Sequence, residues 1–393
     1  MAKKVAMTGN SACAEAMRQI NPDVVAAYPI TPQTAIVEDF SGFVASGKVS
    51  TEFVCVESEH SAMSACIGAA ASGARVMTTT SSQGLALMWE MLYIAASLRL
   101  PIVMHNVNRT LSAPINIHCD HSDSMGARDA GWIHIFSENA QEAYDNTIQA
   151  IRIAEDPAVC LPVMVLLDGF IISHAIDRLE ILEDSQVKDF VGEIKPPYSL
   201  LNGKEPITVG PFDGLHGYYF EFKKIENEAL ASAKNTVLDV AKEYERVSGR
   251  SYGLFETYRL DDAEVGIIIL GSTAGTAKTV VDELRNEGKK AGLLKLRLFR
   301  PFPAEELAKA LSHLKAVAVL DRSCSFGAQG GPVFLEVRAA LYGGEHIPVA
   351  GYVYGLGGRD VSQNQIRKAY SDLFEIAKTG KAKDSLSYLG IRE

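Results

Sequence analysis

The 393-residue chain, with 47% hydrophobic and 22% charged residues, has the composition of a globular protein with two or three domains. Its net charge of −10 and its lack of a basic cluster argue against nucleic-acid binding. Its longest apolar window, 85–104, is interrupted by Glu90, Arg99 and Pro101, so no membrane span is predicted. Six scattered cysteines without a C-x-x-C pair exclude a self-contained iron–sulfur or zinc motif of the usual spacing and indicate reduced thiols in a cytoplasmic protein.

The first elements lead to a proline-rich turn. Residues 24–27 are predicted to form a buried strand, and Tyr28-Pro-Ile-Thr-Pro32 follows as a rigid, extended loop because it contains two prolines. Thr31 and Pro32 are predicted to be the N-cap and first residue of a helix that runs to about Phe43. Since helix N-termini attract anions, Thr31 is either a plain cap or part of an anion site.

The stretch 53–73 has the strongest functional pattern. A buried strand (53–56) delivers Glu57 and Glu59 to its end, and a helix of mostly small residues follows. In an open α/β sheet, ligands bind beyond the carboxyl ends of the strands, and small side chains allow a flat ligand to approach closely. Either Glu59 shares a proton with a ligand nitrogen, or Ser58 caps the helix and Glu59 merely complements its dipole.

The next predicted elements lead to Arg109 and a long loop. Strand 74–79, helix 85–98 and strand 101–108 are predicted in order, and the last strand ends at Arg109. The long segment 109–123 lacks periodicity but contains apolar residues, so we expect an ordered functional loop. Its His, Cys and Asp residues invite a metal site, but adjacent ligands rarely converge on one ion, so metal binding is disfavoured.

The overall pattern predicts an α/β fold with two doubly wound, mostly parallel sheets. Helix 140–155 and strand 162–167 complete the first alternating series, which predicts a domain over 1–172. Residues 173–260 break the pattern and contain a long helix from about 225 to 247, as expected for a connecting arm that contacts another subunit. A second series, with strands at 265–270, 293–298 and 316–320, predicts a domain over 261–393.

Seven motifs in this order and spacing carry a resemblance across almost the whole chain: Tyr28-Pro-Ile-Thr-Pro32, Glu57-Ser-Glu-His-Ser61, Ser82-Gln-Gly84, Arg109 with Leu111-Ser-Ala-Pro-Ile-Asn-Ile117, Asp120-His-Ser-Asp123, Arg300-Pro-Phe-Pro303 and Gly355-Leu-Gly-Gly-Arg-Asp360. The set resembles the alpha subunits of pyruvate:ferredoxin oxidoreductases, which belong to the thiamine-diphosphate-dependent 2-oxoacid:acceptor oxidoreductases. The resemblance implies a pyrimidine-type thiamine-diphosphate-binding domain first and a transketolase C-terminal-like domain last.

The resemblance also implies roles for individual residues. Glu59 takes the place of the glutamate that hydrogen-bonds the aminopyrimidine ring, and Pro29 and Thr31 lie where the cofactor is bound. Arg109 and Thr31 match the residues that bind the carboxylate of the 2-oxoacid, so Glu59, Arg109 and Thr31 are the expected catalytic residues. Thr31 is neutral, which favours a monocarboxylate such as pyruvate.

The same resemblance implies that this chain holds half of an active site. Thiamine diphosphate would be shared with a beta subunit, while Mg and [4Fe-4S] clusters would lie on partner subunits and no metal on this chain. The expected partners are beta, gamma and delta-type subunits, ferredoxin, pyruvate and CoA. His118-Cys119 departs from the usual pattern. A branched-chain or other 2-oxoacid is the alternative substrate, and a non-catalytic scaffold subunit is the alternative of another class.

Overall fold

Two large sheets and one small sheet organise the computed structural model, which describes residues 3–344, 346–381 and 386–392. Its strands, in chain order, are β1 (Lys3–Thr8), β2 (Val24–Ala27), β3 (Glu52–Cys55), β4 (Val76–Thr80), β5 (Ile102–Asn108), β6 (Ile133–Phe136), β7 (Val163–Asp168), β8 (Ile176–Ile181), β9 (Phe255–Tyr258), β10 (Val265–Ile269), β11 (Ala291–Leu296), β12 (Leu298–Arg300), β13 (Ala316–Asp321), β14 (Val349–Val353) and β15 (Leu386–Tyr388).

Helices connect these strands and cover both faces of the large sheets. They are α1 (Gly9–Ile20), α2 (Thr34–Ala45), α3 (Glu59–Ala71), α4 (Ser82–Leu87), α5 (Trp89–Ser97), α6 (Ser122–Gly126), α7 (Ala140–Ala154), α8 (Asp184–Val191), α9 (Tyr219–Ser248), α10 (Thr273–Asn286), α11 (Ala304–Leu311), α12 (Pro332–Leu341) and α13 (Gln363–Thr379), with a 3-10 turn at Leu356–Gly358. None of the helices in the described part of the chain combines the length and apolar character that a membrane crossing requires.

The first sheet positions the candidate site. Its strand order is β12-β6-β7-β5-β4-β2-β3, and all neighbours are parallel except β12, which pairs antiparallel with β6. Strands β5 and β7 are buried along their whole length, as expected for parallel strands with helices on both faces. Because the six parallel strands point the same way, the segments that follow β2, β3, β4, β5 and β7 emerge along one edge of the sheet.

The second sheet has the order β15-β14-β13-β10-β11-β9, with only β9 antiparallel to its neighbour. Strand β12 leaves this half of the chain and extends the first sheet, where Leu298 lies opposite Ile135. Strand β8 pairs antiparallel with β1 in a separate two-stranded ribbon. The predicted α/β fold with two mostly parallel sheets is therefore confirmed.

Local differences from the prediction have physical causes. The helix predicted over 85–98 is two helices, α4 and α5, which meet at Met88. The prediction that Thr31 caps a helix was wrong, because α2 begins at Thr34 after Gln33. The amide of Gln33 organises the turn instead: its Oε1 accepts the Ile30 N–H at 3.2 Å, and its Nε2 donates to the Thr79 carbonyl at 2.9 Å.

The ribbon of β1 and β8 was not predicted. Strand β1 is largely exposed and carries no continuous buried run, so its local sequence lacks the signal that identified the interior strands. The division of the chain at residues 172 and 260 stays a prediction, with β8 just beyond the first boundary and β9 just before the second.

Candidate active site

Glu59 is a buried carboxylate at the start of α3. Ser58 caps this helix, its Oγ accepting the Ser61 N–H at 3.2 Å, so Glu59 is the first helical residue after β3. Glu59 is only 6% exposed, and its side chain makes no hydrogen bond or ion pair with the described residues. Its carboxylate oxygens keep some accessible surface, so they are open to a hydrogen-bond donor from a ligand or a partner chain.

Gly84 forms the wall beside Glu59. A Cβ at this position would lie 2.7 Å from Glu59 Oε1 and 2.5 Å from Thr80 Oγ1, closer than van der Waals contact allows. Thr80 Oγ1 is itself buried without a hydrogen-bond partner among the described residues. The ends of β3 and β4 thus bring a carboxylate and a hydroxyl, both unpartnered, around a glycine that has no room for a side chain.

Arg109 lies at the end of β5 and faces the proline-rich turn. Its Nη1 donates to the Thr31 carbonyl at 2.9 Å and its Nε to the Asn116 carbonyl at 3.3 Å. Burial lowers the pKa of the guanidinium, an effect that the nearby Asp123 charge opposes, and the residue is only 7% exposed. Within the described chain no carboxylate pairs with this cation, and its remaining N–H groups are free to bind an anion.

The structure therefore brings together two of the predicted residues, Arg109 and Thr31. Their contact uses the carbonyl oxygen of Thr31, whereas the residue as a whole is exposed, like Pro29 in the same turn. Glu59 lies along the same sheet edge, and the Ser82–Gly84 segment at the start of α4 connects the two sides: Gly84 lies against Glu59, and the Ser82 hydroxyl donates to the Thr110 carbonyl.

The loop 109–123 is ordered by contacts with the second half of the chain. Asn116 Nδ2 donates to the Gly357 carbonyl at 3.0 Å, the Gly358 N–H donates to the Cys119 carbonyl at 2.7 Å, and the Gly357 N–H donates to Asp120 Oδ2 at 3.3 Å. Two motifs that lie far apart in sequence thus meet directly. His118, the departure from the usual pattern, packs against Phe170, with ring centroids 5.2 Å apart and the rings tilted by 39°.

Cys119, His121 and Asp168 have ligand atoms close enough for one metal ion. The oxygens of Asp168 are nevertheless already used: Oδ1 lies 2.7 Å from His121 Nε2, while Oδ2 accepts from Arg322 Nη1 at 3.1 Å and from the Ser272 hydroxyl at 2.6 Å. Burial alone would raise the pKa of Asp168, but His121 and Arg322 hold it below its usual range. Burial also raises the pKa of the Cys119 thiol, so it is a poor ligand. Asp168 is thus the centre of a hydrogen-bonded network that joins the two sheets through its ion pair with Arg322.

Sequence reasoning missed the residues that support the site. Gly84 and Asp123 belong to quoted motifs, but nothing local indicated that one contacts Glu59 and the other the backbone of Arg109. Asp168 is the last residue of β7, so the rule that ligands gather at strand ends was the available signal.

Together, fold and site define a class: an α/β protein with a buried, unpaired glutamate and an unpaired arginine at one edge of a parallel sheet. Such a site suits a ligand that offers a hydrogen-bond donor on one side and an anionic group on the other.

Residues 15–242 match the family described as "Pyruvate flavodoxin/ferredoxin oxidoreductase, thiamine diP-bdg", and residues 263–366 match "Pyruvate:ferredoxin oxidoreductase core domain II". The chain belongs to the pyruvate:ferredoxin oxidoreductase family, as its motifs predicted. The prediction of thiamine diphosphate as cofactor is confirmed at the level of the family.

Curated relatives match over the full length. The "Pyruvate synthase subunit PorA" of Thermotoga maritima is 57% identical over 392 residues, covering 100% of this chain and 99% of its own. The protein of the same name from Methanocaldococcus jannaschii is 47% identical, with 98% of both chains covered. The "Ketoisovalerate oxidoreductase subunit VorA" of Pyrococcus horikoshii is 43% identical, covering 99% of this chain and 98% of its own.

Solved structures share the fold. A 2-oxoglutarate:ferredoxin oxidoreductase from Magnetococcus marinus, with 2-oxoglutarate, coenzyme A and succinyl-CoA bound, aligns with a TM-score of 0.73 at 22% identity, covering 94% of this chain and 65% of that chain. A split-gene transketolase, an inactive beta4 tetramer, aligns with a TM-score of 0.56 at 13% identity, covering 94% of this chain and 99% of its own.

Proposed function

We propose that this chain is the alpha subunit of a pyruvate:ferredoxin oxidoreductase. The assembled enzyme oxidatively decarboxylates pyruvate with CoA and ferredoxin to acetyl-CoA and CO2, and the reaction is reversible. The observation that carries the proposal is Glu59, a buried carboxylate without a partner beside a glycine wall. This is the environment that a carboxylate aimed at an aminopyrimidine nitrogen requires.

Glu59 and the Gly84 wall fit the aminopyrimidine half of thiamine diphosphate. With the cofactor bound, Glu59 would accept a hydrogen bond from the ring and would hold a proton at that nitrogen. Gly84 lets the flat ring approach, and Thr80 Oγ1 offers a further polar contact. When bound, thiamine diphosphate supplies the electron sink for decarboxylation. Pro29 and Thr31 would contact the cofactor from the turn after β2.

Arg109 fits the carboxylate of the substrate. Its guanidinium is oriented by the Thr31 and Asn116 carbonyls, while its remaining N–H groups can form a two-pronged bond to a carboxylate. Thr31 lies at the same place, so its hydroxyl would add a neutral contact. These features oppose the scaffold alternative, because a scaffold needs neither an unpaired buried glutamate nor an unpaired arginine.

Partner subunits would complete the site. The sequence has no Gly-Asp-Gly with a downstream Asn to hold diphosphate and Mg, and we assign these groups and the [4Fe-4S] clusters to beta, gamma and delta-type partners. Residues 173–260 would serve as the connecting arm between domains 1–172 and 261–393. Its Phe212, Leu215 and Phe220 are 100%, 102% and 79% exposed, as expected of side chains that a partner covers.

Pyruvate is the favoured substrate because the relative with 57% identity is a pyruvate synthase subunit. The second candidate is a branched-chain 2-oxoacid, which the 43% identity to a ketoisovalerate oxidoreductase subunit supports. Assaying the assembled complex with pyruvate, 2-ketoisovalerate and 2-oxoglutarate separates these substrates. A higher kcat/KM for a substrate other than pyruvate would overturn the pyruvate assignment.

The role of Glu59 is tested by Glu59→Gln in the assembled complex. An amide keeps the shape but not the proton coupling, so hydrogen–deuterium exchange at C2 of bound thiamine diphosphate should slow by about 10²–10⁴-fold. Glu57→Gln is the matched control, because Glu57 is exposed and hydrogen-bonded to Ser61. Unchanged exchange in Glu59→Gln, or equal slowing in the control, would refute the assignment.

The half-site proposal is tested with the isolated chain. Without the diphosphate and Mg ligands of a partner, it should bind thiamine diphosphate only weakly. Calorimetry that showed micromolar or tighter binding would contradict a cofactor shared between subunits.

A further inference from the structure

Asp123 is a buried carboxylate that joins the two sides of the site. It lies in α6 and is 3% exposed. Its oxygens accept hydrogen bonds from five N–H donors: Oδ2 from the backbone of Ser82 at 3.0 Å, the backbone of Arg109 at 3.1 Å and Asn106 Nδ2 at 3.1 Å, and Oδ1 from Asn108 Nδ2 at 2.8 Å and the backbone of Ser124 at 2.7 Å.

Two of these donors belong to the segments that carry the proposed chemistry. Ser82 opens α4 two residues before Gly84, the wall against Glu59. Arg109 is the proposed carboxylate ligand. A single oxygen of Asp123 therefore fixes the backbone on the cofactor side and on the substrate side of the site.

A carboxylate is the group this position requires. All five contacts donate, so an amide of the same shape would turn its own NH2 toward at least one N–H. Burial raises the pKa of Asp123, and the N–H donors oppose that rise. The negative charge also favours the charged form of Arg109, which lacks an ion-pair partner in the described chain.

We propose that Asp123 is a positioning residue that sets the spacing between the cofactor side of the site, at Glu59, and Arg109. The inference rests on the proposed function and adds a residue that contacts neither substrate nor cofactor. It predicts a double signature that neither site residue produces alone. Arg109→Lys should raise the KM for pyruvate and leave C2 exchange unchanged, and Glu59→Gln should slow C2 exchange and turnover without raising the KM. A change at Asp123 should both raise the KM and slow C2 exchange.

The test uses Asp123→Asn in the assembled complex. We expect the KM for pyruvate to rise by about 10-fold or more and C2 exchange to slow by at least about 5-fold. The double variant Asp123→Asn with Asn108→Asp exchanges the carboxylate and the amide of this hydrogen-bonded pair. It restores one donor–acceptor contact between positions 108 and 123 and should recover part of both losses. Asn106→Leu removes one donor to Oδ2 and an amide oxygen that is itself unpaired, so it should assemble and show the same signature at smaller size.

The control is Asp145→Asn. Asp145 is also fully buried, but it pairs with Arg250 on the far side of α7. Its loss should lower the melting temperature and leave both readouts per assembled complex unchanged. The inference is overturned if the Asp123 and Asn106 variants alter only stability, or alter only one of the two readouts. A parent complex that neither exchanges C2 nor oxidises a 2-oxoacid would instead refute the proposed function.

Discussion

Replacing Gly84 by alanine is expected to displace Glu59 while leaving the fold intact. The added Cβ would lie 2.5 Å from Thr80 Oγ1, 2.7 Å from Glu59 Oε1 and 2.9 Å from Glu59 Cγ, where ordinary contact begins at 3.4 Å. Glu59 must therefore move by several tenths of an ångström to about 1 Å, a misplacement that can cost about 10²-fold in rate.

The effect on stability should be much smaller than the effect on activity. Alanine gains about 0.5–1 kcal/mol over glycine within a helix, and crowding of this kind costs about 1–3 kcal/mol. The two terms oppose each other, so the net destabilisation is at most about 2 kcal/mol. For a chain of this size the melting temperature should then fall by only a few degrees, about 2–4 °C for each kcal/mol.

The assay is pyruvate-dependent ferredoxin reduction by the assembled complex at saturating thiamine diphosphate, together with C2 exchange. Gly42→Ala in α2 is the matched control, because no atom lies within 4 Å of its added Cβ. It should gain a little stability and keep the parent rate. If Gly84→Ala kept the parent rate and the parent exchange, Glu59 would not be the group that contacts the cofactor.

Three further predictions follow from the same geometry and from buried titrating groups. Arg109→Lys keeps the charge but loses the planar guanidinium that can contact the Thr31 carbonyl and the substrate carboxylate together, so kcat/KM for pyruvate should fall by about 10–100-fold. An unchanged kcat/KM, or a parallel loss of thiamine diphosphate affinity, would contradict its role. Burial raises the pKa of Asp321 to about 7 from 3.8 despite the N–H donors of α12, so its contribution to stability is present below pH 3.8 and is lost as the pH rises through 7. The stability of Asp321→Asn relative to the parent should therefore increase between pH 4 and 7, by about 4 kcal/mol at most in free energy of unfolding. Melting curves across this pH range check it, and a constant difference between the two proteins would refute the shift. Burial lowers the pKa of His134 to about 3 from 6.5, so the contribution of its neutral ring to the stability of the fold is lost as the pH falls below 6.5. In His134→Leu the melting temperature should therefore decrease less steeply between pH 6.5 and 4 than in the parent. An unchanged slope would refute the shifted pKa.

The local sequence determined the two parallel sheets. Interior parallel strands such as β7 and β10 are nearly continuous apolar runs because both of their faces are buried, and this signal is contained within five or six residues. Position at a strand end made Glu59 a candidate, since ligands gather at the carboxyl ends of parallel strands, whereas the role of Arg109 came from the ordered motifs. The ordered motifs supplied the family, which composition and periodicity alone did not.

Only the tertiary structure decided which distant groups meet. The contact between Asn116 and Gly357 spans 241 positions, and β12 leaves the second half of the chain to pair with β6 in the first sheet. Thr31 lost its predicted cap role because the Gln33 side chain reaches the Thr79 carbonyl across the sheet edge. Glu59 is unpaired because of what surrounds it in space, and Asp123 gathers its N–H donors from three separate segments. A contact between residues far apart in the chain leaves no period in either local sequence, so no reading of one segment could reveal it.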